Sequence, residues 1–125
     1  MLIKWRGFTL VELLVVIAII GTLLGIAVPR YFSSLERSKE AVLKENLAVM
    51  RDAIQKYYAD RGKYPGKLED LAAHKYLRKI PVDPITGSSA SWAVVSPQSA
   101  EQGAVYDVHS GAPGNGADGV PYAQW

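Results

Sequence analysis

The sequence predicts an α+β fold, with one long amino-terminal helix packed on a small antiparallel sheet and a loop-rich carboxy-terminal end. Three observations predict it. The run from Phe8 to Val28 is an apolar stretch with no charged side chain except Glu12. Beyond it, apolar residues recur at helical spacing as far as Tyr58, and after Ser91 the pattern changes to short β-branched and aromatic stretches bounded by Gly, Pro and Ser.

Taken in order, Phe8 to Val28 is long enough, at about 1.5 Å of rise per residue, to cross a hydrocarbon layer roughly 30 Å thick. It reads as a membrane helix. An acid at the centre of such a helix costs roughly 2.5 to 3.5 kcal/mol, and less near an end, where Glu12 lies. A cation has to offset that cost. If the chain is cut between Gly7 and Phe8, the new α-amino group of Phe8 stands one helical turn from Glu12, and the same group on a neighbouring chain serves equally well. Lys4 and Arg6 favour an amino terminus on the cytoplasmic side, although Arg30 and Arg37 on the far side weaken that vote. An ordinary secretory signal fits poorly, because the apolar run is too long and its nearest small-x-small site, Gly25-Ile26-Ala27, lies at the far end. A plain anchor with Gly21, Thr22 and Gly25 on a packing face is the competing reading, opposed by Glu12 and the Gly7-Phe8 junction.

Pro29 removes a backbone donor and is expected to disturb the helix near Gly25 to Val28. From Tyr31 the pattern is amphipathic, with Leu35, Val42, Leu43, Leu47, Met50, Ile54, Tyr57 and Tyr58 on the apolar side, so one helix should run to about residue 61. Arg61-Gly62 is its stop, and Pro65 blocks continuation. A short second helix is expected over 67–76 on the face of Leu68, Leu71 and Ala72. Asp83-Pro84-Ile85-Thr86-Gly87 reads as a turn. Ser91 to Ser96 and Ala104 to His109 should then pair as a hairpin leaning on the long helix, since two strands alone are marginal.

Composition narrows the function. Net charge is +2, and setting aside Lys4 and Arg6 leaves the remaining side chains neutral, which does not indicate nucleic-acid binding. No Lys or Arg follows Lys79, whereas Asp83, Glu101, Asp107 and Asp118 do, so the last third is acidic. Cysteine is absent, so stability has to come from packing, a bound ion or assembly. The Gly- and Pro-rich stretch from Ser110 to Pro121 needs ordering, and Asp107, Asp118, Ser110 and Asn115 with main-chain carbonyls offer oxygens for a calcium ion. The alternative is a flexible loop pinned by Tyr122 and Trp125. An enzyme is disfavoured. Asp107, His109 and Ser110 sit on one strand end and cannot converge as a catalytic triad, His74 stands alone, and no phosphate loop occurs. The dispersed tyrosines read as packing residues.

Gly7-Phe8-Thr9-Leu10-Val11-Glu12 behind a short basic leader resembles the class III signal of type IV pilins and type II secretion pseudopilins. Tyr64-Pro65 and Ile80-Pro81-Val82-Asp83-Pro84 are similar to segments around the αβ-loop and sheet entry of G-type major pseudopilins, and the lack of cysteine favours that side of the superfamily. The resemblance implies a leader, residues 1–7, removed by prepilin peptidase, with N-methylation of Phe8. It implies a filament-core helix over 8–28, a periplasmic domain over 29–125 and a place in the inner membrane as a single-pass protein. It implies a homopolymer in which Glu12 pairs with an adjacent subunit's amine, partnered by minor pseudopilins, a platform protein and an assembly ATPase complex, and calcium in the carboxy-terminal loop. In the family a Pro matching Pro29 accompanies a loosened helix. The function implied is a structural subunit that drives export of folded proteins. A type IV pilin and a membrane-anchored periplasmic binding module stay open as alternatives.

Overall fold

The computed structural model describes residues 7–125, so Lys4, Arg6 and the rest of the expected leader lie outside the described residues. The chain divides into two compact units between Glu36 and Arg37.

The first unit is helical from Leu10, and its side chains are exposed throughout. Thr22 lies among apolar neighbours, and its hydroxyl donates to the carbonyl of Ala18 at 2.8 Å, which satisfies it within its own helix. The helix, α1, spans Leu10–Arg61 and includes Pro29 without ending there. The expected disturbance does not break it, because proline at this position forfeits one hydrogen bond, to the carbonyl of Gly25, while the residues on both sides stay helical. Its amino-terminal part is long and apolar enough to cross a membrane.

In the second unit, α1 supplies Leu43, Leu47, Met50, Ala53, Ile54 and Tyr57 to a buried stripe at three- and four-residue spacing. Val42 and Tyr58, expected on that face, are exposed, since each lies one position off the seam. Gly62 takes a φ of 72° and its amide donates to the carbonyl of Tyr58, which closes the helix end where Arg61-Gly62 predicts it. The second helix, α2, is Glu69–Ala73, shorter than expected at both ends. Before it, the Asp70 carboxylate accepts from the amides of Gly66 and Lys67; after it, Lys75 turns to a φ of 66° and the amides of Tyr76 and Leu77 fold back onto the carbonyl of Leu71. Leu68 and Leu71 are buried against the α1 stripe.

The sheet is one antiparallel pair, β1 (Ala93–Val95) and β2 (Asp107–His109), with Val94 opposite Val108. Both strands are shorter than the expected hairpin. Ala104 and Val105 direct their amides to the carbonyl of Pro65 instead of to a strand partner, and the strand–strand ladder begins only at Tyr106. Residues of β1 are exposed, so Val94 and Val95 do not face the helix; Trp92, Val105 and Val108 do the packing, with Ala112 and Tyr122 completing the core. The Trp92 indole donates to the carbonyl of Pro81 at 2.8 Å. Short 3₁₀ turns at Ala100–Gln102 and Tyr122–Gln124 complete the unit.

Three of the tyrosines are less dispersed than their sequence positions suggest: Tyr58 stacks on Tyr64 at 4.4 Å between centroids, and Tyr64 meets Tyr106 edge-on at 5.3 Å. Burial, followed by the neighbouring Tyr106 and Tyr58, raises the Tyr64 phenol above its ordinary value. The Tyr76 hydroxyl donates to Asp60 Oδ2 at 2.8 Å, and that bond is the main reason its pKa is raised. A raised folded-state pKa gives a contribution that is complete below the unfolded value of about 10 and is lost as pH climbs through the folded one. The stability gap between the native protein and Tyr76→Phe should therefore be constant through neutral pH and narrow above pH about 10, as read by denaturant unfolding across pH. A gap unchanged in alkali contradicts the hydrogen bond.

Gly103 sits at a φ of 112° with its α-carbon against the main chain of Tyr64, where a β-carbon would overlap the Tyr64 carbonyl. This close approach lets the loop before β2 reach the loop after α1, whose Tyr64 amide donates to the Gln102 carbonyl at 2.7 Å. Gly103→Ala should cost about 1–3 kcal/mol in denaturant unfolding, while Gly114→Ala, with open space around it, loses less.

Candidate functional site

At the amino terminus, Gly7, Phe8 and Thr9 precede the first turn of α1, and all three are exposed. Phe8 is 84% exposed, so the Gly7–Phe8 peptide bond lies outside the helix and open to solvent. Thr9 is the cap. Its hydroxyl accepts from the Glu12 amide at 3.1 Å, while Glu12 Oε2 accepts from the Thr9 amide at 3.3 Å. This reciprocal pair is a capping box, in which two otherwise orphaned donors of the first turn are satisfied by side chains. The Thr9-x-x-Glu12 spacing is its sequence signature, so Glu12 has a local partner as well as a charge in need of a cation. The carboxylate also lies where the helix dipole favours an anion. Among the described residues, no cationic side chain pairs with Glu12.

Asp107, Ser110 and Asp118 each have a partner of their own within the fold. Asp107 Oδ1 pairs with Arg51 Nε at 2.9 Å and accepts from the Val108 amide, while Oδ2 stands 3.8 Å from His109 Nε2. Ser110 is buried; its hydroxyl donates to Asp83 Oδ2 at 2.6 Å and accepts from the Ala112 amide. Asn115 forms an isolated antiparallel bridge with Pro121, and Asp118 Oδ1 accepts from the Val120 amide, closing its own turn.

Three further residues, Asp83, Glu40 and Arg51, hold the carboxy-terminal region. Asp83 is fully buried, with Oδ1 held by the amides of Ile85 and Thr86 and Oδ2 by Ser110, so it fastens the 83–87 turn to the segment after β2. Its position between two prolines, where a carboxylate can fold onto amides two and three residues ahead, is the signal that finds it. Glu40 and Arg51 reach from α1 to the carboxy-terminal segment. Eleven residues apart, they fall about 20° from one another around a helix with 3.6 residues per turn, and only the distant partners give that alignment a meaning.

The Prokaryotic N-terminal methylation motif matches residues 6–28. The chain is 31% identical to the type II secretion system core protein G of Escherichia coli (strain K12), over 88% of this chain and 83% of that protein. This chain belongs to the type II secretion system core protein G family. It is also 29% identical to the core protein G of Klebsiella michiganensis, over 93% of the chain and 86% of the relative. The type IV major pilin protein PilA of Myxococcus xanthus is 41% identical over 47% of the chain, a stretch that spans 27% of that pilin. No solved structure matches the chain. Within this family the motif and the apolar helix make the protein a pilin-like, single-pass subunit anchored in a membrane.

The capping box makes a local prediction. Thr9→Ala should fray the first turn of α1, costing about 0.5–2 kcal/mol there, whereas Thr9→Ser retains it. Amide exchange at Glu12 and Leu13 in detergent micelles reads the difference, and unchanged protection in Thr9→Ala contradicts the cap.

Proposed function

We propose that this chain is the major subunit of a type II secretion pseudopilus, a structural protein whose polymerisation drives export of folded proteins across the outer membrane. The observation that carries the reading is the start of α1, where an exposed Gly7–Phe8 bond stands directly before a capped helix whose first turn holds the lone acid of the apolar run. Coverage supports the G type over a pilin. The core proteins G align with most of the chain, whereas the Myxococcus pilin aligns with under half of it.

In this reading a prepilin peptidase cuts between Gly7 and Phe8 on the cytoplasmic side and methylates the new amine of Phe8. Cutting there places an ammonium at the amino-terminal end of α1, where the helix dipole repels it. A carboxylate near that end offsets the repulsion, and N-methylation leaves the amine basic. Glu12 Oε2 is engaged with the Thr9 amide, and the carboxylate retains acceptor capacity at Oε1 for the amine of an adjacent subunit. In hydrocarbon such a pair is worth far more than in water, because neither charge has another way to be solvated. Each incoming chain is thereby set in register, the apolar helices pack in the filament core, and the second unit lies in the periplasm. Minor pseudopilins, a platform protein and an assembly ATPase complex in the inner membrane supply initiation and work. The chain's own contribution is structural.

Glu12→Ala should insert in the membrane at least as well as the native chain, yet fail to form filaments or support secretion. Filament yield after shearing and export of a reporter measure this, and normal filaments from the variant discard the register mechanism. Intact mass of the membrane-extracted protein should correspond to a chain beginning at Phe8 with one added methyl group; a chain beginning at Met1 contradicts the processing.

A further inference from the structure

A calcium ion in the carboxy-terminal segment would draw on Asp107, Asp118, Ser110 and Asn115, and their chemistry does not fit it. Calcium takes six to eight oxygens, several of them anionic. Among the described residues, no three His, Cys, Asp or Glu side chains converge to hold a metal. Asp107 is already paired with the Arg51 guanidinium, Ser110 spends its hydroxyl on Asp83, and Asp118 is turned to its own loop. An ion seated at Asp107 would also stand beside a fixed positive charge.

Polar contacts from one stripe of α1 reach this segment instead, beside the apolar packing of Ala112 and Tyr122. Glu40 Oε1 accepts from the Ala117 amide at 2.8 Å and from the Tyr122 hydroxyl at 3.0 Å. One turn on, Lys44 Nζ stands 4.9 Å from the centre of the Trp125 ring. Two turns further, Arg51 bonds Asp107 through Nε at 2.9 Å and, through Nη2, the main-chain oxygens of Val108 at 2.9 Å and Trp125 at 2.6 Å. The guanidinium thus takes an acid and two main-chain oxygens, from β2 and from Trp125, whose oxygen His109 Nδ1 also meets at 2.6 Å. Those are ligands of the kind a calcium ion collects, gathered by a cation that is part of the fold. Glu40, at the other end of the stripe, serves the opposite need by accepting from donors of the loop.

We propose that the carboxy-terminal segment of this protein is closed by the Glu40–Lys44–Arg51 stripe without calcium, Arg51 occupying the role of the bound cation. The segment is then ordered at any calcium level, and its order depends on α1 being helical through Glu40. This goes beyond the assembly reading and is tested without filaments.

The full-length protein in detergent micelles is melted in excess calcium chloride and in EGTA, and amide exchange is followed by mass spectrometry. The two melts of the native protein should superimpose. Arg51→Gln and Glu40→Gln should each speed exchange over residues 110–125 by roughly tenfold or more, while residues 43–57 of α1 keep their protection. Calcium that raises the native melting temperature, or slows native exchange over 107–125, overturns the proposal. So does native-like exchange in both variants. Should Arg51→Gln unfold altogether, the calcium and EGTA comparison on the native protein and the Glu40→Gln variant still decide.

Discussion

The second unit depends on one stripe of α1. A sheet of two three-residue strands has too little paired backbone and too little buried face to stand alone, and here one of its strands is exposed along its whole length. Leu43, Leu47, Met50, Ile54 and Tyr57 supply the apolar surface on which everything else is laid, from Leu68 and Leu71 to Trp92, Val105, Val108 and Tyr122. Without disulfides, this stripe and the hydrogen bonds beside it carry the stability.

The same helix serves two solvents. Up to Val28 its side chains, Glu12 and Thr22 apart, are apolar on every side and exposed, as a helix meant for lipid or for other copies of itself has to be. Beyond Arg37 the buried apolar residues form one seam and charged residues take most of the remaining surface. Pro29 falls between these regimes, and a single missing donor there is a small cost set against continuity of the helix. Glu12 is likewise both local and long-range in meaning. It caps its own helix through Thr9, and a helix whose start is fixed presents that carboxylate at a defined height.

What could be read from the sequence was whatever is encoded over a few residues. The apolar run, the stripe from Leu43 to Tyr57, the stop at Arg61-Gly62 and the turn at Asp83 to Gly87 all rest on local spacing or on the conformational limits of Gly and Pro. Strand extent was not legible in this way. The β-branched content of 104–106 is as good as that of 107–109, and only the position of the Pro65 carbonyl, some forty residues upstream, withdraws those amides from the sheet. The partners of Arg51 and Glu40 lie between 56 and 82 positions away, beyond the reach of any periodicity. The capping box is legible in the Thr9-x-x-Glu12 spacing, where the same carboxylate that carries the charge also closes the first turn.

The segregation of charge along the chain takes its meaning from the same long-range contacts. A sequence with no Lys or Arg after Lys79 leaves its acidic end looking for positive charge from an ion, a neighbour or the rest of the chain. The buried Asp83 takes amides and a hydroxyl, Asp118 takes an amide, and the acid that takes a full cation, Asp107 on β2, takes Arg51 from α1. Arg51 and Asp107 are each about one-third exposed, where solvent screening leaves the ion pair itself a modest gain. The geometry adds more than the charge does. A planar guanidinium with donors along two edges can hold a carboxylate and two main-chain oxygens at fixed angles, which a lysine at the same position cannot. That fixed geometry, repeated in the opposite sense by Glu40, holds a chain end rich in glycine and proline in one conformation beside the apolar packing of Ala112, Tyr122 and Trp125.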